Sequence, residues 1–255
     1  MCRLILMNKE GEKEIEKQYG LENYLNYLKN QFGGDGNGYA LLKKGKVVKF
    51  EKGVKLSIKD IARSIRKYKY DWCIFHTRYA SIGAKSNENC HPFIRGNEVM
   101  AMNGTERSVD LVSSVKGITD TEAILDLKVL YNWEIPFLKR LNSIFIGFSK
   151  GKPYVVANNT YNIKLLYNKK NNAIVFASDF PNKMNKYVYE ANSDFLWNDD
   201  SIDLNLFSKR RIIKVKRNQL KMYKDVFEDE YDFFYDYDIY DYYRLAQKVG
   251  DKNAA

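Results

Sequence analysis

At 255 residues the chain can bury a full core as one large domain or two small ones, and 45% hydrophobic with 15% aromatic residues excludes a disordered polypeptide. A net charge of +10 would suit a polyanionic partner, but the lysines are scattered among Asn, Ile and Tyr and form no stripe, so nucleic-acid binding is set aside. The three cysteines, Cys2, Cys73 and Cys90, form no CxxC pair, which excludes a zinc ribbon and a disulfide framework.

In chain order, Cys2 to Met7 reads as a short buried strand, followed by a helix from Gly20 to Phe32 with Leu21, Tyr24, Leu25, Leu28 and Phe32 on one face. Four glycines in six residues (Gly33, Gly34, Gly36, Gly38) lead into a hairpin turning at Lys44-Gly45, and Ser57 is placed to cap a helix that buries Ile58, Ile61, Ala62 and Ile65. The apolar run Trp72–Phe75 predicts a strand, as does Asn97–Met102, which ends in Asn103-Gly104. Thr119-Asp120-Thr121-Glu122 matches a capping box and predicts a helix to about Arg140. Strands are expected at Ser143–Ser149, Pro153–Asn158, Ile163–Tyr167, Ala173–Ser178 and Arg211–Val215, with turns at Lys150-Gly151 and Asn171-Asn172. From Asp225 to Tyr243 there are eight acidic residues and no Lys or Arg, in a Tyr-rich run that would pack on the body or meet a partner. The pattern is α+β, with residues 1–220 as the domain and 221–255 as an appended acidic segment. The N-terminal apolar run is too short for a signal peptide and no later run could span a membrane, so a cytoplasmic protein is expected.

Chemistry concentrates in two places. Phe75 to Phe93 holds both histidines of the chain, His76 and His91, together with Thr77, Arg78, Tyr79 and Ser81, as if a strand delivered polar groups to a pocket. Cys2 is the second place. Removal of Met1, which a small second residue favours, would leave a thiol whose own α-amine, with an ordinary pKa of about 8, can act as its base. Read singly, these residues have plain structural uses. Cys2 can simply start a strand, Arg78 can form an ion pair, Asn103-Gly104 can be a turn, and Asp120 can cap a helix.

Taken in order, Cys2, Asp35-Gly36-Asn37-Gly38, His76-Thr77-Arg78-Tyr79, His91-Pro92-Phe93, Asn103-Gly104 and Asp120-Thr121-Glu122 resemble the class II glutamine amidotransferases. The motifs run from Cys2 to about Leu130, and Met-Cys-Arg-Leu looks like the opening of the small stand-alone members. The resemblance implies a four-layer αββα sandwich of the N-terminal-nucleophile hydrolase type. It implies Cys2 as nucleophile, Asn103 and Gly104 as the oxyanion hole, and Arg78, Ser81, Asp120, Tyr79 and His76 lining the glutamine site. It further implies no cofactor or metal, and either an acceptor synthase as partner or action as a free amidohydrolase, because the chain is too short for a synthetase domain of its own. His76 would orient the Arg78 loop and His91 would close the pocket wall. Three departures bear on selection of glutamine: Tyr79 where Trp is frequent, Ile82 where some members have His, and Met102 where His is common. Two other readings stay open: hydrolysis of another γ-glutamyl or N-acyl amide, and a non-catalytic binding or structural relative.

Overall fold

The computed structural model describes residues 2–157, 163–184, 187–198 and 202–209. The expected strand at Arg211–Val215 and the acidic Tyr-rich segment lie outside the described residues.

Strand β1 (Arg3–Asn8) runs straight into helix α1 (Lys9–Gln18), because the Asn8 side chain accepts from the Gly11 N–H and caps the helix. Helix α2 (Leu21–Phe32) buries Leu21, Tyr24, Leu25 and Leu28 of the expected face, while Phe32 at its end is only partly buried and lies under the Arg3 guanidinium. Strands β2 (Asn37–Lys43) and β3 (Lys46–Gly53) form the hairpin, with Lys44 and Gly45 both at positive φ (48° and 74°), as a two-residue turn of the I′ type requires. Helix α3 (Ile58–Lys67) is capped by Ser57, whose hydroxyl accepts from the Asp60 N–H at 3.1 Å. After β4 (Trp72–Thr77) come the short β5 (Phe93–Arg95) and β6 (Glu98–Asn103).

Helix α4 (Asp110–Lys116) precedes α5 (Asp120–Leu130), which is capped by Thr119. The expected continuation of α5 to Arg140 is corrected here. The helix stops at Leu130, Asn132 takes φ 50°, and a separate 3₁₀ turn opens at Ile135 with Pro136 in its first positions. The capping box is also only half made. Glu122 N–H bonds to Thr119, while the Glu122 carboxylate turns to Arg95 at 2.5 Å. Strands β7 (Ile144–Ser149), β8 (Lys152–Ala157), β9 (Lys164–Asn168) and β10 (Ala173–Ala177) follow where the alternation placed them, and β11 (Val188–Ala191), β12 (Phe195–Trp197) and β13 (Phe207–Lys209) extend the sheets.

Among the described residues these strands form two antiparallel sheets. One has the order β13-β11-β9-β10-β1-β4-β2-β3, and the other β12-β8-β7-β6-β5. Strand alternation divides the apolar side chains into three layers. Ile5, Met7 and Phe75 pack outward under Ile15 of α1, Leu25 and Leu28 of α2, and Ile61 and Ile65 of α3. Leu4, Leu6 and Ile74 face Val99, Ala101, Ile146 and Phe148 across the gap between the sheets. Met100, Met102 and Phe145 pack outward under Ala123, Ile124 and Leu125 of α5. The result is a four-layer αββα sandwich.

The glycine run is set by close approach to the end of β4 and to the segment after it. A Cβ on Gly33 would sit 2.1 Å from Thr77 Oγ1, and one on Gly38 would sit 2.1 Å from the His91 carbonyl oxygen. The second obstacle is backbone and cannot swing aside. Gly38→Ala should therefore destabilise the protein by about 3 kcal/mol, the upper range for overpacking, seen as a lowered urea midpoint at unchanged slope. An unchanged midpoint would mean that the His91 backbone yields.

Candidate active site

The same alternation that sorts the core gathers the site. On β1, Leu4 and Leu6 face the gap between the sheets, so Cys2 faces it too. On β4, Ile74 faces the gap, and Arg78, just past the strand end, continues its row. On β6, Val99 and Ala101 face the gap and Asn103 ends their row. The β1–β4 register pairs Arg3 with Thr77, which brings Cys2 to the start of the Arg78 loop. Cys2 Sγ accepts from the Tyr79 N–H at 3.3 Å and lies 3.5 Å from the Tyr79 carbonyl oxygen. Its residue is 8% exposed, and burial pushes the thiol above its ordinary pKa. The Tyr79 N–H and the Arg78 guanidinium pull the other way, while Asp120 adds to the rise. Both charges expected around a substrate thus bear on the thiol.

Arg78 is 2% exposed. Its Nη1 donates to the Ala84 carbonyl at 2.9 Å, and its Nη2 to those of Ile82 at 2.5 Å and Gly83 at 3.4 Å. Three of its five N–H donors are thus committed to its own loop, and two are left for a ligand. A second clamp comes from the glycine-rich segment. Asp35 accepts from the Ala80 N–H at 2.8 Å and pairs with Lys85 at 2.7 Å, and backbone bonds join Asp35 N–H to Arg78 O and Arg78 N–H to Gly36 O. Burial works against ionisation of Asp35, yet the Ala80 N–H and Lys85 outweigh it and hold the carboxyl below its usual range. Asp35 stood in the glycine-rich motif, but no sequence signal marked it as the clamp.

Asn103 is buried at the end of β6, and its Oδ1 has no partner among the described residues. Gly104 follows at φ 139°, a conformation that only glycine adopts without strain. Asp120, at the first position of α5, accepts the Glu106 N–H at 3.0 Å and the Thr121 N–H at 2.8 Å, and so ties the chain after the Asn103-Gly104 pair to the helix. Thr119 does the capping, which leaves Asp120 available for this tie. Burial raises Asp120 above its ordinary pKa in spite of both N–H donors. Glu106 extends the brace by accepting the Asn142 N–H at 2.8 Å.

The remaining expected residues divide. The Ser81 hydroxyl is 3.2 Å from that of Thr105, joining the Arg78 loop to the chain beyond Gly104. Tyr79 is 42% exposed, with its backbone, not its ring, against Cys2. His76 is 0% exposed and reaches the Met102 carbonyl at 3.1 Å, and not the Arg78 loop it was expected to orient. His91 is stacked on it, with ring centroids 4.2 Å apart. Among the described residues no group of His, Cys, Asp and Glu side chains could hold a metal ion, and no helix is long and apolar enough to cross a membrane.

No protein-family model and no curated protein sequence matches the chain. Solved structures do. A glutamine phosphoribosylpyrophosphate amidotransferase from B. subtilis, complexed with ADP and GMP, is 17% identical over 80% of this chain and 50% of its own, with a TM-score of 0.53. An allosteric regulatory enzyme of purine biosynthesis is 18% identical over 78% of this chain and 47% of its own, with a TM-score of 0.56. The chain spans about half the length of these solved chains. The likeness is one of fold: the αββα sandwich described above is the architecture shared with these two structures.

Proposed function

We propose that this protein hydrolyses the side-chain amide of glutamine through a Cys2 thioester and passes the ammonia to an acceptor enzyme. The observation that supports it most is the convergence of Cys2, Arg78, Asn103 and Asp120 at one end of the gap between the sheets of an amidotransferase-like fold. In this reading Met1 is removed and the Cys2 α-amine takes the thiol proton. The thiolate sulfur attacks the side-chain carbonyl carbon, and the carbonyl oxygen becomes an oxyanion held by Asn103 Nδ2 and the Gly104 N–H. Collapse breaks the C–N bond, and the α-ammonium returns its proton to the leaving nitrogen as ammonia. Water, deprotonated by the same amine, then cleaves the thioester to glutamate. Removing one oxyanion donor typically costs 10²–10³ in turnover, so Asn103 and Gly104 carry a large share of the rate. Arg78 contributes its charge and an uncommitted N–H donor to the substrate α-carboxylate, and Asp120 its charge to the α-ammonium. Residues 1–220 form the amidase domain in this reading, and the acidic segment beyond it meets the acceptor enzyme. The three free cysteines fit a reducing cytoplasm.

The test is the intact mass of the purified protein before and after incubation with a diazo-ketone analogue of glutamine. Loss of Met1 and a single adduct on Cys2, absent in Arg78→Ala, is the expected result. Retained Met1 would remove the base and sink the mechanism. Met1 removed with no adduct would turn the reading toward another γ-glutamyl or N-acyl amide. The commitment of the Arg78 fork to the carbonyls of residues 82–84 is the observation that would then explain the failure.

A further inference from the structure

Strand β6 has β7 along one edge and β5 along the other, but β5 is only three residues long. It pairs Phe93 with Met100, Ile94 with Val99 and Arg95 with Glu98, and then gives out. In an antiparallel strand, residues two apart direct their N–H and C=O to the same edge. Met102 therefore directs both groups to the side that β5 has vacated, one residue before Asn103. Two buried and unpaired backbone groups at that point would cost several kcal/mol.

Two imidazoles fill the vacancy. His76 reaches across from β4 in the other sheet, and its Nε2–H donates to the Met102 carbonyl at 3.1 Å. The Met102 N–H is directed at His91 Nδ1, 3.5 Å away. The rings stack at 4.2 Å with 29° between their planes, and His91 leans on Phe93 at 5.0 Å. Hydrogen bonding fixes the tautomers: the proton on Nε2 in His76 and a bare Nδ1 in His91. Both rings are buried. The Asn103 side chain has no anchor of its own at Oδ1, so its aim depends on the backbone that delivers it.

We infer that His76 and His91 are positioning residues for the oxyanion pocket, standing in for the missing strand beside Met102 and thereby fixing where Asn103 and Gly104 point. This rests on the amidase reading for its catalytic consequence, but the pinning itself is a property of the backbone and is measurable without turnover. It also gives the two histidines a use in a chain where the α-amine, and no imidazole, is the base.

The test compares His91→Phe, which keeps a ring in the stack but no acceptor, with His91→Asn, whose Oδ1 can replace Nδ1. Amide exchange of the 100–105 segment is followed by mass spectrometry, alongside kcat and KM for glutamine and the rate of Cys2 alkylation by iodoacetamide, which needs no oxyanion pocket. His91→Phe should exchange about tenfold faster in that segment, reflecting easier local opening. It should lose about 10²-fold in kcat, the cost of a misplacement near 1 Å, with KM and alkylation nearly unchanged. His91→Asn should recover most of both. Unchanged exchange in His91→Phe, or an Asn variant no better than Phe, would overturn the inference. If neither variant folds, His76→Phe is compared with His76→Gln, which keeps a donor near Nε2: faster exchange in the Phe variant alone upholds the inference, and equal exchange in the two overturns it. If the wild-type protein does not turn over glutamine yet His91→Phe exchanges faster, the positioning stands and the amidase reading falls.

Discussion

Cys2→Ala should abolish release of ammonia from glutamine, by at least about 10⁴-fold, with little change in fold. The size follows from what nucleophile removal costs in enzymes whose catalytic groups act as a unit. The fold should survive because Cys2 contributes a small side chain at the edge of the inter-sheet layer, and its one hydrogen-bond neighbour is the Tyr79 backbone. Loss of that contact costs about 1 kcal/mol. Cys2→Ser should be nearly as inactive and somewhat more stable than Cys2→Ala, since a hydroxyl can still accept from the Tyr79 N–H but is not activated by an amine of pKa about 8. The pH dependence separates this mechanism from a preformed thiolate. Burial holds the Cys2 thiol above its ordinary pKa, so at neutral pH it is a thiol that needs a base. kcat/KM should therefore rise with pH toward the pKa of the α-amine, about 8. A profile flat from pH 8 down to pH 5 would mean a standing thiolate and would remove the amine from its role.

The sequence showed the elements that have apolar rhythm and missed those that do not. Strands β1, β4, β6, β7, β8, β9 and β10 and helices α2 and α3 have strong alternation or one clear apolar face. Helix α1 has neither. Its sequence KEGEKEIEKQ buries Ile15 and, beside it, the carboxylates of Glu12 and Glu14. Glu12 is satisfied by Lys9 and by the Tyr70 hydroxyl at 2.7 Å, and Glu14 by Asn168 at 3.2 Å and Asn171 at 3.1 Å. A helix held by buried carboxylates whose partners lie up to 157 residues away has no local signature. Asn8 looked like the polar end of a strand and is also the cap of the next helix. Strands β5, β12 and β13 are three residues each, too short for alternation to register.

The site shows the same division. Cys2, Arg78, Asn103, Gly104 and Asp120 could be picked out as candidates because their short motifs stood in a recognisable order. What holds them was not legible, because most of it is backbone. The carbonyls of residues 82–84 take the Arg78 fork, the Ala80 N–H takes Asp35, the Glu106 N–H takes Asp120, and the Met102 peptide takes both histidines. Main-chain groups are the same at every position, so a sequence can mark candidate side chains and stay silent about what aims them.

Stability should fall as the pH is lowered from 6.5, well above the range where carboxylates begin to protonate. Burial holds His76 down to about 3 and His91 well below its ordinary value, and His76, stacked on His91, lowers the latter further. The charged groups bearing on the pair, Arg78 on both rings and Lys52 on His91, are cations and deepen the shift. In the unfolded chain both histidines return to about 6.5. Between pH 6.5 and about 3 the unfolded state therefore binds protons that the folded state refuses, so the free energy of unfolding rises with pH in that window and is lost as pH falls. Each histidine contributes a slope of about 1.4 kcal/mol per pH unit once well below 6.5. These are the only two histidines in the chain, and theirs are the side chains whose ordinary pKa lies inside the window from pH 6.5 to 5, ahead of Glu14, Glu16 and Asp35, which are also held low. Asp179, which burial would raise but Lys164, Tyr27 and Gln31 hold low, adds to acid loss only lower down. Asp120, raised by burial, works in the opposite sense as one group against two. Urea unfolding at pH 7.5, 6.5, 5.5 and 5.0 should show the midpoint falling through this series in the wild-type protein, and falling by about half as much in His91→Phe. A midpoint level from pH 7.5 to 5.0 would mean that protons reach the pair in the folded protein, and that the stacked imidazoles tolerate a charge.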